Sequence, residues 1–165
     1  MIGRRTFLKV GLAGGVVLGA GGIWYAATRE AVAQGRLDRA TRAMFAAIAP
    51  VILAGVALPE PATTEDVVAG VETAFGGLSA AAQTELGELF GLLSFPPTRY
   101  VLTGVADWGR VSQADIARFL ESWRRHRLSL LRGAYAALHD LVLGAWYARP
   151  DSWEAIGYPG PPEVK

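Results

Sequence analysis

Apolar residues recur at helical intervals through most of this chain, and nowhere alternate with polar ones over a useful strand length. The first helical stretch runs from 37 to 58, with Met44, Phe45, Ile48, Val51, Ile52 and Val56 on one stripe. Pro50 should kink or divide it, because proline lacks the ladder N–H and clashes with the preceding turn. Pro59-Glu60-Pro61 ends it. Thr63 or Thr64 then caps a short helix through Phe75, with Glu65 and Asp66 in the first turn, where the helix dipole favours acids. Its buried stripe is Val67, Val68, Val71 and Phe75, and Gly76-Gly77 stops it. Ser79 caps a third helix through Leu93, with Leu86, Leu89, Phe90 and Leu93 turned inward. Pro96-Pro97 breaks the chain and opens a short helix at Thr98-Arg99-Tyr100.

The longest pattern begins at Ser112, with Asp115 three residues on as a capping-box analogue. Ile116, Phe119, Leu120, Trp123, Leu130, Leu131, Ala134, Leu138, Leu141, Val142 and Ala145 follow at helical spacing, with no proline before Pro150. One helix of about 35 residues is long for a globular domain, which favours two helices with a bend near Gly133. The fold class expected is all-α: a single small helical bundle over 34–150. A signal helix precedes it at 1–33, and a capped turn with an extended, proline-rich tail follows at 151–165.

The N-terminus carries its own signal. Arg4-Arg5-Thr6-Phe7-Leu8-Lys9 opens directly into 10–28, which has no charged residue and six glycines. The paired arginines, Phe7, Leu8 and Lys9 resemble a twin-arginine (Tat) export signal, whose apolar region is less hydrophobic than that of a Sec signal. Ala31 and Ala33 fit the small-x-small rule for signal cleavage, between Ala33 and Gln34. The competing reading is an uncleaved membrane anchor. Residues 10–28 reach spanning length, and Trp24-Tyr25 suits an interface, although the glycines weaken insertion.

Composition narrows the chemistry. The chain has no cysteine, which excludes thiolate-held iron–sulfur clusters, covalently attached haem and disulfides. Its two histidines, His126 and His139, are too far apart in sequence to share a metal at helical spacing. His139 and Asp140 are adjacent on a helix and point about 100° apart, which argues against a base dyad. No glycine-rich phosphate loop follows a strand. No cofactor is therefore expected in this chain. Without residues 1–33, 12 of the 16 basic and 14 of the 15 acidic residues remain. The resulting slight negative charge gives no support for nucleic-acid binding. Arg124-Arg125-His126-Arg127 with Arg132 is the one basic concentration, either a solvated face or a docking patch for an acidic surface.

After Pro150 the character changes. Asp151-Ser152-Trp153-Glu154 reads as a short turn capped by Asp151, and Gly157 terminates it. Tyr158-Pro159-Gly160-Pro161-Pro162 must be extended, since its prolines fix φ and withhold donors. The stretch Trp153-Glu154-Ala155-Ile156-Gly157-Tyr158-Pro159-Gly160 resembles the W-x-x-I-G-Y-P-G ending of gluconate 2-dehydrogenase subunit 3-type proteins. The Tat-like leader, the size, the helical character and the aromatic pair Trp146-Tyr147 agree with it. The segment 147–151 departs from the Tyr-Gly-Gly that often precedes that tryptophan.

The resemblance implies a small, exported, helical subunit of a periplasmic FAD-dependent dehydrogenase of the glucose–methanol–choline (GMC) type. In such complexes the large subunit binds FAD and performs the oxidation, and a haem c subunit often takes the electrons. The small subunit carries the Tat signal and escorts its folded partner through the Tat translocase. Trp146, Tyr147, Trp153, Ile156, Gly157, Tyr158, Pro159 and Gly160 are the implied partner-binding residues. The expectation is a periplasmic, non-catalytic oxidoreductase subunit, membrane-associated if the leader is retained or the complex is anchored. The alternative is a free-standing periplasmic helical protein that binds a small apolar ligand.

Overall fold

A computed structural model describes residues 35–56 and 63–160. Among them are six α-helices, two short 3-10 turns and no strand, so the described chain is all-α. The features assigned to Arg4, Arg5, Phe7, Leu8, Lys9, Ala31, Ala33, the apolar run 10–28, Pro59-Glu60-Pro61 and Pro161-Pro162 lie outside the described residues.

The helices begin where side-chain oxygens can satisfy the first free N–H groups. In α1 (Arg39–Ile52), Asp38 accepts from the Thr41 N–H at 2.7 Å. In α2 (Thr64–Gly76), Thr63 is the cap and completes a reciprocal box with Asp66. Ser79 caps α3 (Ala80–Ser94), and Ser112 caps α5 (Gln113–Arg124). The intervening α4 (Pro96–Thr103) starts on the two prolines with no side-chain cap. Its first turn needs fewer donors satisfied, because proline has no N–H to offer. The last helix, α6, spans Ser129–Tyr147.

Two boundaries differ from those the pattern suggests. The stretch expected to continue to 58 ends at Ile52, two residues after Pro50. Proline removes one late ladder bond, and the chain winds down through Leu53 and Val56 in single-turn hydrogen bonds. The long segment does divide, but at 125–128 rather than near Gly133, which lies inside α6. Here the Leu128 N–H donates to His126 Nδ1 at 3.1 Å, and Arg132 Nη1 donates to the carbonyls of His126 and Arg127. Side chains thus replace the ladder across the turn. The reversal lets α5 bury Ile116, Phe119, Leu120 and Trp123 while α6 buries Leu138, Leu141, Val142, Ala145 and Trp146 in the same core.

α1 packs against α2, α3, α5 and α6, and α2 and α6 form the most extensive helix pair. That pair approaches closely because Gly70 has no side chain. A Cβ there would stand 3.2 Å from the Ala145 Cβ and 3.3 Å from its carbonyl oxygen. At the centre, Phe90 meets Phe45 edge-on at 5.3 Å and Phe75 at 5.5 Å. Burying each of these rings contributes roughly 2–3 kcal/mol. A second aromatic group joins Trp108, Phe119 and Trp123, whose indoles donate to the Leu93 and Leu102 carbonyls.

Candidate functional site

The chain leaves α6 through Arg149, whose guanidinium lies over the Trp146 ring at 5.9 Å and donates to Asp151 at 2.7 Å. This pair holds the Asp151 carboxyl below its ordinary value and raises Arg149, the hydrogen bond being the main cause in each case. Asp151 therefore does not cap the following turn. Neither Pro150–Ser152, within which Asp151 lies, nor the next turn has a side-chain cap, and the carboxylate is spent on Arg149 instead.

A second 3-10 turn, Glu154–Ile156, ends at Gly157 with φ 69°, a left-handed conformation that glycine adopts without a Cβ penalty. That reversal returns the chain over Trp153. The Tyr158 N–H donates to the Trp153 carbonyl at 3.0 Å, and the two rings meet edge-on at 5.4 Å. Gly160 lies so near that a Cβ would touch the indole at 3.1 Å. The indole N–H in turn donates to the Tyr147 carbonyl at 2.8 Å, tying the knob to the last residue of α6. The segment through Gly160 thus folds as a hook against Trp153.

The hook sorts the eight implied contact residues. Ile156 and Tyr158 are 53% and 45% exposed, Tyr147 is 37% exposed, and Pro159 and Gly157 are also on the surface. Trp153 and Gly160 are half-buried against each other. Trp146 is 1% exposed and belongs to the core. It has no surface to offer a partner, so the aromatic pair divides into one core residue and one surface residue.

Arg99 carries no mark in the sequence of the part it plays. It is 9% exposed, and its guanidinium donates to the carbonyls of Ser94, Val105 and Ala106. A single side chain thereby ties the end of α3 to the loop after α4. It borders a hollow of about 410 Å³ that also includes Arg39, Asp107 and Trp108. A larger groove of about 640 Å³ is flanked by Asp107, Arg110, Asp115 and Arg118, which pair with one another at its rim. Both set charged side chains beside apolar ones, Trp108 in the smaller and Val105, Val111 and Phe119 in the larger.

Among the described residues, no three histidines or carboxylates gather as a metal site, and no helix is long and apolar enough to cross a membrane. His139 Nδ1 lies 3.3 Å from Asp140 Oδ1, closer than their angular separation on the helix suggests. Both side chains can bend toward each other at the surface, and the imidazole's other neighbour is the Tyr135 ring at 5.5 Å. In comparisons with known proteins, no family model, no curated protein and no solved structure matches this chain.

Proposed function

We propose that this chain is a non-catalytic accessory and export subunit of a periplasmic FAD-dependent dehydrogenase of the GMC type. The observation that carries the reading is the hook at 153–160. It spends Trp153 and Gly160 on its own folding and turns Tyr147, Ile156 and Tyr158 outward. A pre-folded aromatic knob loses little entropy on docking, and aromatic side chains are common anchors of interface energy. The Tat-like leader supports the same reading. That pathway carries folded cargo, and a chain without recognisable cofactor machinery has reason to use it on behalf of a cofactor-bearing partner. The large subunit supplies the flavin and the chemistry, and in such complexes a haem c subunit often accepts the electrons.

The test is export of both proteins. With Arg4→Lys and Arg5→Lys together, this chain and a co-expressed flavoprotein are expected to stay in the cytoplasm, while the parent delivers both to the periplasm. Normal periplasmic accumulation of the double variant removes the Tat assignment. Stoichiometric flavin, haem or metal on the purified chain alone removes the accessory role.

A further inference from the structure

The turn between α5 and α6 presents a surface that the proposed function does not use. From 122 to 139 the chain has no acidic residue, but it has Arg124, Arg125, Arg127 and Arg132. Glu121 pairs with both Arg124 and Arg125. Arg127 has no ion-pair partner among the described residues. The turn is held internally, since Arg132 binds the carbonyls of 126 and 127 at 2.8 and 3.1 Å. On this fixed frame Leu128 and Leu130 stand 55% and 79% exposed. One exposed leucine is ordinary. Two of them, on a turn with excess arginine on both sides, combine the requirements of a membrane interface. Apolar groups enter the headgroup–acyl boundary, and guanidinium forks match phosphate oxygens.

We propose that this turn docks on an anionic phospholipid surface, with Leu128 and Leu130 inserted and Arg124, Arg125 and Arg127 on lipid phosphates while Arg132 holds the turn. A lipid surface is favoured over an acidic protein because the exposed leucines stand at the end of the turn and in the first turn of α6 instead of lining a groove. A fluid interface accepts such leucines without a matching cavity. Charge complementarity supplies long-range attraction, and each arginine near an anionic surface strengthens partitioning about fivefold.

The apolar run 10–28 offers the full chain its own route to lipid, so the readout must be local. The absence of cysteine makes this direct. Ser129→Cys, between the two leucines, carries an environment-sensitive dye. Glu88→Cys on α3, which packs on α1 and α4, is the control. Vesicles are phosphatidylcholine alone or phosphatidylcholine with phosphatidylglycerol. On the anionic vesicles the dye at 129 should shift to the blue and be quenched by lipid-borne quenchers, whereas the dye at 88 should stay in water. Arg125→Gln and Arg127→Gln should each weaken insertion about fivefold, and Leu128→Ser with Leu130→Ser should abolish quenching at an unchanged melting temperature. A dye at 129 that remains aqueous, or inserts equally into neutral vesicles, overturns the proposal. Protection of the dye only by a bound flavoprotein assigns the turn to an acidic protein surface instead and equally overturns it.

Discussion

Replacing Arg99 by methionine tests how much of the fold hangs on one buried cation. The guanidinium is 9% exposed and serves three carbonyls, at Ser94, Val105 and Ala106. A hydrogen bond from a charged donor contributes about 1.5–3 kcal/mol, and a buried carbonyl left unpaired costs a similar amount. Methionine conserves most of the apolar stem, so the loss is chiefly of these bonds. Water entering from the adjoining hollow recovers part of it. The expected destabilisation is about 4 kcal/mol. At about 3 °C per kcal/mol for a chain of this size, the melting temperature falls by about 12 °C. Arg99→Lys should recover less than half, because one ammonium cannot span three carbonyls that a planar fork reaches together. Arg110→Met, whose guanidinium is almost wholly exposed, is the control and should change little. Thermal unfolding followed by far-ultraviolet circular dichroism reads all three. An Arg99→Met chain that melts within about 1 °C of the parent, or a lysine as good as arginine, refutes the idea that the three-carbonyl clamp holds α3 to the loop.

Ending the chain at Ser152 removes the hook. Co-purification with the flavoprotein should be lost while the melting temperature falls by less than about 5 °C, since Trp153 contributes one indole hydrogen bond and a half-buried ring. A larger fall with partner binding intact would make the hook an internal clasp. Acid stability should follow Asp66 and Asp115, whose carboxyls are held below their ordinary value by hydrogen bonds from Thr63 and Ser112 respectively. Because the folded pKa values are depressed, their contribution is present above about pH 4 and lost as the pH falls through the folded values. Ser112→Ala should therefore raise the midpoint of acid unfolding, Thr63→Ala should raise it less because the Thr63 backbone N–H still donates to Asp66, and an unchanged midpoint for Ser112→Ala would deny that cap its role.

Local chemistry made much of this fold readable. Ser79 and Ser112 act as caps because a hydroxyl three residues before a free N–H is sufficient, whatever lies elsewhere. The stripe Val67, Val68, Val71 and Phe75 is buried as its spacing requires. Features set by distant partners were hidden. The break at 125–128 has neither proline nor glycine. It follows from side chains that satisfy the turn and from a core that both α5 and α6 must reach. Arg99 lies in a short proline-led helix with nothing to mark its burial, because its acceptors lie at 94, 105 and 106. At the hook, the glycine stop at 157 was legible. The folding of Tyr158 and Gly160 onto Trp153 was not, since an extended reading of the prolines gives no direction for the chain to turn.

The contact at Gly70 has a kinetic consequence for docking. Where α2 and α6 meet through Gly70 and Ala145, the two backbones approach closely with no long side chain between them. The hook is latched to the last residue of that close pair through the Tyr147 carbonyl. Under the proposed function, a binding element mounted on that pair would reach its partner already in shape. Its association should be governed by diffusion and orientation, at roughly the ordinary 10⁵–10⁷ M⁻¹s⁻¹ for pre-organised proteins, and not by a slower folding step. Differences in complex lifetime would then originate in the outward faces of Ile156 and Tyr158, through dissociation.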